Sequence, residues 1–325
     1  MAYRLPLRSL GQSDLMVSPI GLGCWQFSKR RGVVGKFWPE LPDEVIKAIV
    51  RISLEGGINW FDTAEVYGWG ASEKALAQAL EQLGPSPEKV IIATKWWPLF
   101  RTASSITNTI NERLTNLHVS RIDLYQIHQP FSFSSVQAEI RAMAHLVKIG
   151  KVRYVGVSNF SAQKMRKAHA ALQSQGLQLI SNQVEYSLLN RKIETNGILE
   201  TAKELGVSLI AYSPLAQGAL TGKFHDNLEL IQQRQGFRRY SGRFSQRGLR
   251  KSFPLIEVLR DLAKKHQSSP AQVALNWLIT CHGETIVAIP GATKIAHVQD
   301  NIGALRFRLT PGELEHLDFV SSEYK

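Results

Sequence analysis

Four side chains able to hold, give or steer a proton follow short apolar runs along the chain. Asp62 and Tyr67 come just after Ile58–Phe61, Lys95 ends the run Val90–Thr94, and His128 follows Ile122–Ile127. A phenol has an ordinary pKa near ~10. A nearby ammonium favours the phenolate, so Lys95 is expected to pull Tyr67 down. Asp62 would pair with that ammonium and hold it, and His128 would donate a hydrogen bond to a substrate oxygen. The set amounts to a proton donor tuned toward neutral pH and facing a polarised carbonyl. The sequence shows no cluster of metal-ligand type, so a hydride for such a carbonyl would come from an organic cofactor.

Singly, each residue has an ordinary structural explanation. An aspartate after a strand caps a helix, a loop tyrosine packs on the surface, and a lone histidine is structural. Lys95 is less ordinary, because an ammonium ending an apolar strand needs a partner if it is buried. All four together, however, fall at matching ends of consecutive strands, which ordinary structural roles do not require.

Those ends exist only if the runs are strands. Eight runs recur: Ile20–Cys24, Ile58–Phe61, Val90–Thr94, Ile122–Ile127, Val152–Val157, Leu179–Gln183, Val207–Ala211 and Thr285–Ile289. Several are too uniformly apolar for a half-wetted sheet, which suits parallel strands covered on both faces. Between them lie helical stripes: Val45, Ile49 and Ile52; Ile106, Ile110, Leu114 and Leu117; Val136, Ile140, Met143 and Val147. Ser269-Pro270-Ala271-Gln272 and Thr310-Pro311-Gly312-Glu313 read as capping boxes with proline at the first helical position. About eight strand–helix units in one chain predict a closed (β/α)8 barrel of the TIM type, an α/β fold spanning 1–325 as a single domain. The rival is a doubly wound open sheet. Its dinucleotide form needs a completed glycine motif, and Gly21-Leu22-Gly23 lacks the third glycine. Tyr3–Leu10 and Asp14–Val17 flank Gly11-Gln12 and predict an N-terminal hairpin. Lys223–Lys251 is polar, shows no period, and is expected to be a long loop after the seventh strand.

Composition narrows the class further. The chain has 325 residues, 44% of them hydrophobic, and a net charge of +12. A core of useful size is therefore expected, and no apolar run approaches the ~20 residues of a membrane span. The start, Met1-Ala-Tyr-Arg-Leu-Pro, lacks a signal pattern. Cys24 and Cys281 are the two cysteines, too few for a disulfide framework, and a cytoplasmic setting is expected. The positive charge would suit nucleic acid, an acidic membrane or an anionic small ligand. Nucleic-acid binding finds no zinc-finger spacing, basic helix or RNA motif here. The expected partner is a small-molecule carbonyl substrate, with neither nucleic acid nor membrane. Monomer and homo-oligomer both stay open.

The order of motifs resembles the aldo-keto reductases over nearly the whole chain. Gly21-Leu22-Gly23-Cys24-Trp25 is similar to the family's first strand, with Cys24 in place of its usual threonine. Phe61-Asp62-Thr63-Ala64 with Tyr67-Gly68 is the most specific match. Gly156–Phe160, Ala211–Leu215 and Ile289–Lys294 resemble further strand ends. Gly218–Lys223 resembles the bacterial and plant branches and the potassium-channel β-subunit branch.

The resemblance implies an NADP(H) cofactor lying across the barrel rim, and aldehyde or ketone reduction. It implies that Tyr67 is the general acid, with Lys95 and Asp62 tuning it and His128 orienting the substrate. Ser158, Asn159 and Gln183 would hold the carboxamide, and Tyr212 would stack on the nicotinamide. Cys24 and Trp25 would lie beside the cofactor. Ser213, Pro214, Leu215, Gln217, Gly218 and Lys223, with Arg234, would follow the pyrophosphate. Gly291, Thr293, Lys294, His297, Asp300 and Asn301 would take the adenosine end, with His297 where many relatives carry glutamine. Thr293 and Lys294 open a helix, and a helix N-terminus beside a cation suits a 2′-phosphate, which favours NADP over NAD. Trp25, Trp96, Trp97, His128 and Phe131 are expected to wall the substrate pocket. Substrate candidates include pyridoxal, 2-oxoaldehydes and cyclic imines. A cofactor-sensing, weakly catalytic subunit is the alternative on the same fold.

The charge fits this reading. Lys223–Lys251 holds Lys223, Arg234, Arg238, Arg239, Arg243, Arg247, Arg250 and Lys251 against Asp226 and Glu229, half of the net +12. The segment is expected to hold and gate a phosphate-rich dinucleotide.

Overall fold

The computed structural model describes residues 5–85, 89–233 and 241–325. A short antiparallel pair comes first, β1 (Arg8–Ser9) with β2 (Met16–Val17). Eight parallel strands follow: β3 (Leu22–Gly23), β4 (Trp60–Asp62), β5 (Ile91–Trp96), β6 (Ile122–Ile127), β7 (Val152–Ser158), β8 (Leu179–Glu185), β9 (Ser208–Tyr212) and β10 (Ile286–Ala288). Each pairs with its neighbours in chain order, from β3 through to β10. The sheet curls until its ends meet. Parallel bridges join Ile20 to Ala288 and Gly23 to Gly291, and Gly21 N–H donates to the Ala288 carbonyl at 2.8 Å. The predicted barrel and all eight predicted runs are present.

Strand periodicity explains what the barrel holds. Successive side chains point to opposite faces, so alternate residues enter the barrel. The inward positions begin apolar: Trp60, Ile91, Ala93, Leu124, Ile210 and Val287 share one buried cluster. The same faces end polar, with Asp62 two residues after Trp60, Lys95 after Ala93, Gln126 after Leu124 and Tyr212 after Ile210. The outward set, including Phe61, Ile92, Trp96, Tyr125 and Ile127, packs into the layer beneath the helices. Both faces are dry, which is why the runs read as continuously apolar.

The hairpin closes the end where strands begin. Leu10, Leu15 and Val17 join the inner cluster, and Leu10 N–H donates to the Leu15 carbonyl at 2.9 Å. Gly11 lies at the tip with φ +57 and donates its N–H to Ser208 Oγ at 2.7 Å. A Cβ there would sit 2.3 Å from the Ile180 carbonyl oxygen, so the approach requires glycine. The paired part is shorter than the predicted arms, because the turn occupies the residues between β1 and β2.

The predicted helical stripes lie in helices Asp43–Glu55, Ser104–Leu117 and Val136–Lys148. Thr310 and Glu313 form the full reciprocal capping box. At the other predicted box only half forms. Ser269 accepts from Gln272 N–H, but the Gln272 side chain donates to Asp300 Oδ1 at 3.1 Å instead. The amide nitrogen bonds a carboxylate, a charge-assisted contact, and the side-chain oxygen does not close the box by accepting from the Ser269 N–H.

Lys223–Lys251 departs from the predicted loop. Lys223–Asp226 and Glu229–Gln232 are single helical turns. From Gln246 the chain enters a helix that runs to Lys265, capped by Ser245 accepting from Gly248 N–H. Its buried stripe, Leu249, Ser252, Ile256 and Leu259, lies mostly beyond the polar window, so the period was hidden there. Arg247 and Arg250 are exposed on this helix, and Lys251 pairs with Glu323 at 3.3 Å. Arg234, Arg238 and Arg239 lie outside the described residues. Among the described residues no helix is long and apolar enough to cross a membrane.

Candidate active site

Parallel strands bring their C-terminal ends to one rim, so polar residues at those ends converge. Lys95, at the end of β5, is fully buried. Its ammonium donates to Asp62 Oδ1 and to the Thr63 carbonyl, the latter at 2.8 Å. Asp62 Oδ2 accepts from Gln126 Nε2 and Gln183 Nε2, each at 3.0 Å. The carboxylate is therefore held on both oxygens, as burial of charge requires. Gln126 has no counterpart among the sequence candidates. Its signal was available: two residues after inward Leu124, it had to enter the barrel.

Tyr67 reaches this pair from the turn after β4. The Lys95 ammonium lies 5.0 Å from the Tyr67 ring centre. The phenol moves opposite to the sequence expectation. Burial raises its pKa, and the opposing pull of Lys95 does not cancel that rise. Burial alone would lower Lys95, yet Asp62 and Tyr67 outweigh it and keep the amine above its ordinary value. His128, immediately after β6, is pushed well below its ordinary value by burial and then by Lys95. It is thus a neutral imidazole, and its buried Nδ1 has no hydrogen-bond partner. The arrangement keeps a proton on Tyr67 and charge on Lys95, with a neutral imidazole beside them.

Aromatic rings surround this group. Trp25 stacks on Tyr67 at 5.9 Å and 21°. His128 meets Tyr67 edge-on at 5.6 Å and Trp97 at 5.1 Å. Trp38, from the segment after β3, stands edge-on to Trp25 at 5.8 Å. Trp38 and Val34 line the cavity and were missed in the sequence, because that segment carries no motif. Trp96 is corrected. It is fully buried, with Nε1 donating to Ser105 Oγ at 3.0 Å. Lys95 faces inward, so its strand neighbour must face the helix layer. Phe131 is also outside the cavity lining; it is 46% exposed and meets Trp97 edge-on at 5.7 Å.

A cavity of about 470 Å³ runs from these rings along the rim. Cys24, Trp25, Asp62, Ser158, Asn159, Gln183, Tyr212, Ser213, Pro214, Leu215, Gln217, Gly218, Lys223, Gly291, Thr293, His297, Asp300 and Asn301 all line it. Lys294 is exposed beside it, as the residue preceding helix Ile295–Gly303, and is not in the lining. Tyr212 OH donates to Asn159 Oδ1 at 3.0 Å, and Asn159 Nδ2 donates to Ser158 Oγ at 3.0 Å. The Gln183 amide nitrogen is committed to Asp62, so that residue belongs to the buried ion pair as much as to the cleft. Asn159, Ser213 and Gln217 are non-glycine residues with left-handed φ of 60, 51 and 57. Such strain gathers where backbone must present groups to a ligand.

The far end is also prepared. His297 is lowered by burial and by Lys223, hence neutral, and its Nδ1 accepts from Thr293 N–H at 3.3 Å. Asp300 accepts from Ser269 Oγ at 2.7 Å. Asn301 Nδ2 and Gln26 Oε1 are buried cavity-lining atoms with no partner. Glu185 lines the cavity and pairs with Arg243 at 3.1 Å, so one basic residue of the segment after β9 reaches the cleft through a carboxylate. Cys24 is buried and its thiol is held well above its ordinary pKa by burial and by Asp62.

The family model described as "Aldo/keto reductase family" matches residues 19–321. A pyridoxal reductase of Arabidopsis thaliana, named as chloroplastic, is 33% identical, covering 98% of this chain and 87% of that protein. The solved glycerol dehydrogenase of Gluconobacter oxydans is 28% identical, with a TM-score of 0.84 over 98% of this chain and 95% of its own. An aldo/keto reductase of Klebsiella pneumoniae, solved with NADP and acetate, is 26% identical, with a TM-score of 0.74 over 98% and 96%. With this match over nearly its full length, joined to the barrel and the rim geometry, the chain belongs to the aldo/keto reductase family.

Proposed function

We propose that the protein is an NADP(H)-dependent oxidoreductase that reduces aldehydes or ketones to alcohols, with Tyr67 as general acid. One observation carries this reading: a phenol lies against a buried Lys95–Asp62 pair and beside a neutral His128, all at one end of an elongated cleft. The cleft fits a dinucleotide. Asn301 Nδ2 and Gln26 Oε1 are buried in its lining without protein partners. The Klebsiella pneumoniae relative solved with NADP supports the same choice.

A nicotinamide dinucleotide would supply the hydride. Tyr212 would stack on its ring, and Ser158 and Asn159 would meet its carboxamide. Ser213, Leu215, Gln217, Gly218 and Lys223 would follow the pyrophosphate. Thr293, Lys294, His297, Asp300 and Asn301 would hold the adenosine end, where Lys294 at a helix start suits a 2′-phosphate.

The chain's own residues then move one proton. Tyr67 donates it from its hydroxyl to the carbonyl oxygen. Neutral His128 offers an N–H to that oxygen and orients the carbonyl. Lys95 stabilises the tyrosinate left behind, and Asp62 keeps Lys95 charged and in place. Trp25, Trp38 and Trp97 exclude water, which strengthens each of these interactions. Flat aromatic walls favour planar carbonyl compounds, and pyridoxal belongs in the first panel because the Arabidopsis thaliana relative bears that name.

Tyr67→Phe tests the reading. Wild-type protein is expected to oxidise NADPH with an aldehyde, and the variant to bind NADPH normally while losing turnover by ~10²–10⁴-fold. Near-full activity in the variant would exclude Tyr67 as the acid. We place the protein in a reducing compartment, in keeping with its two free thiols.

A further inference from the structure

Two charged residues that the proposed mechanism does not use enclose the backbone of Trp97. Glu65 Oε1 accepts from the Trp97 N–H at 2.8 Å and from Arg101 Nη1. The same Nη1 donates to the Trp97 carbonyl at 3.1 Å. Carboxylate, guanidinium and one residue's N–H and C=O thus form a closed ring. Phe100, at φ +58, makes the turn that returns Arg101 to Trp97. Arg101 is pinned elsewhere too, donating to Ser105 Oγ and Thr109 Oγ1, each at 3.1 Å. Glu65 Oε2 accepts from Arg113 Nη1 at 2.6 Å, which roots the ring in a buried ion cluster.

What the ring fixes is next to the chemistry. Trp97 stands edge-on to His128 at 5.1 Å, and His128 stands edge-on to Tyr67 at 5.6 Å. His128 Nδ1 has no hydrogen-bond partner. No bond through Nδ1 turns its ring, so the flanking aromatic rings set the orientation. Glu65 also lies two residues before Tyr67, and its own N–H donates to the Lys95 carbonyl at 3.2 Å. One side chain therefore ties the Tyr67 turn to the wall that contacts His128.

We propose that the Glu65–Arg101 pair is a positioning element, which clamps Trp97 so that its indole holds the His128 imidazole at the angle needed to meet a carbonyl oxygen. This rests on the carbonyl-reduction reading above. Charge-assisted hydrogen bonds suit the task, because they are short and directional and their partners here are largely shielded from water. A placement error near 1 Å at such a group is enough to cost on the order of 10²-fold in rate.

Arg101 is the residue to change. Its side chain is 25% exposed, and Glu65 keeps Arg113 as a partner when it is removed. Glu65→Gln would instead strip charge from the buried cluster and risk the fold. Arg101→Met, Arg101→Lys, Trp97→Ala and the Arg101→Met/Trp97→Ala double variant are compared with 4-nitrobenzaldehyde and NADPH. Arg101→Met is expected to lower kcat about tenfold or more, with NADPH affinity unchanged and the thermal midpoint close to wild type. The double variant should be no worse than Trp97→Ala alone, and Arg101→Lys should recover part of the loss. Additive losses in the double variant, or an unchanged kcat in Arg101→Met, would overturn the proposal. A second readout needs no turnover. The side-chain 15N resonances of His128, assigned with His128→Gln, are expected to shift in Arg101→Met and in Trp97→Ala alike. Unmoved resonances would also overturn the clamp. If wild type gives no turnover while those resonances shift, carbonyl reduction fails and the clamp stands.

Discussion

The Lys95 ammonium lies 5.0 Å from the centre of the Tyr67 ring, where its charge eases loss of the phenol proton while Tyr67 makes loss of the ammonium proton costlier. Burial lifts the Tyr67 phenol above its ordinary value and outweighs the pull of Lys95. Lys95 itself is held above its ordinary value, because Asp62 and Tyr67 outweigh the penalty of burial. Both therefore keep their protons through neutral pH.

The pH profile of reduction follows from these directions. Tyr67 stays protonated until above ~10, its ordinary value. His128, lowered by burial and Lys95, stays neutral until well below ~6.5. The profile of kcat/KM, which reports groups of the free enzyme, is expected to be flat between about pH 6.5 and 9. An acid limb centred near ~6.5 would show that His128 titrates as an ordinary histidine.

Breaking the buried ion pair should cost more than removing it. Asp62→Asn leaves Lys95 as an uncompensated buried charge, worth about 3–5 kcal/mol of lost stability. Asp62→Asn combined with Lys95→Met removes the charge as well and should recover most of that loss. Urea unfolding of the three proteins checks the order, and neither variant should reduce aldehydes. A double variant less stable than Asp62→Asn would show that the pair is not a mutual charge balance.

Cofactor choice should depend on the positive groups near the adenosine end. Lys294→Ala is expected to weaken NADPH about tenfold, about 1.4 kcal/mol, and to leave NADH nearly unchanged. Fluorescence titration with both cofactors is the measurement; equal weakening of both would remove Lys294 from the 2′-phosphate. Replacing Arg234, Arg238 and Arg239 together should weaken both cofactors, since the segment that carries them is expected to hold the phosphates both share. Unchanged affinity would make their charge a feature of the solvated surface.

Acid stability offers a prediction independent of activity. Burial alone would raise the Glu194 carboxyl, but hydrogen bonds from His282, Arg191 and Tyr186 and the charge of Arg191 bring it down to about 2. Its folded pKa is depressed, so its stabilisation is present above ~4.5 and is lost as pH falls toward about 2. The contribution at neutral pH is about 3 kcal/mol. Glu194→Gln should therefore be less stable at pH 7, with the difference shrinking between pH 4.5 and 2. A constant difference across that range would assign the loss to packing.

Much of the site could be read before folding because strands obey a period of two. Trp60 with Asp62, and Ala93 with Lys95, state in one dimension that a dry barrel ends in polar groups. The same rule excludes Trp96 from the pocket, and Gln126 belongs to the site by the spacing that places Leu124 inside. The segment after β9 shows no such period. Its helix stripe begins where the polar composition ends, so a window closing at Lys251 could not show it.

The sequence by itself determined the alternation of strands and helices, the barrel that follows from it, and the rim on which Asp62, Tyr67, Lys95 and His128 meet. These depend on local periods and short motifs. Tertiary structure decided the protonation states and the supporting contacts. The sign of the Tyr67 shift turns on a contest between burial and the Lys95 charge. Trp38 joins the cavity, Glu65 and Arg101 enclose Trp97, and Gln272 leaves its own helix cap for Asp300. Each of these depends on distances between residues far apart in the chain, and desolvation is a property of everything packed around a group, which no linear spacing encodes.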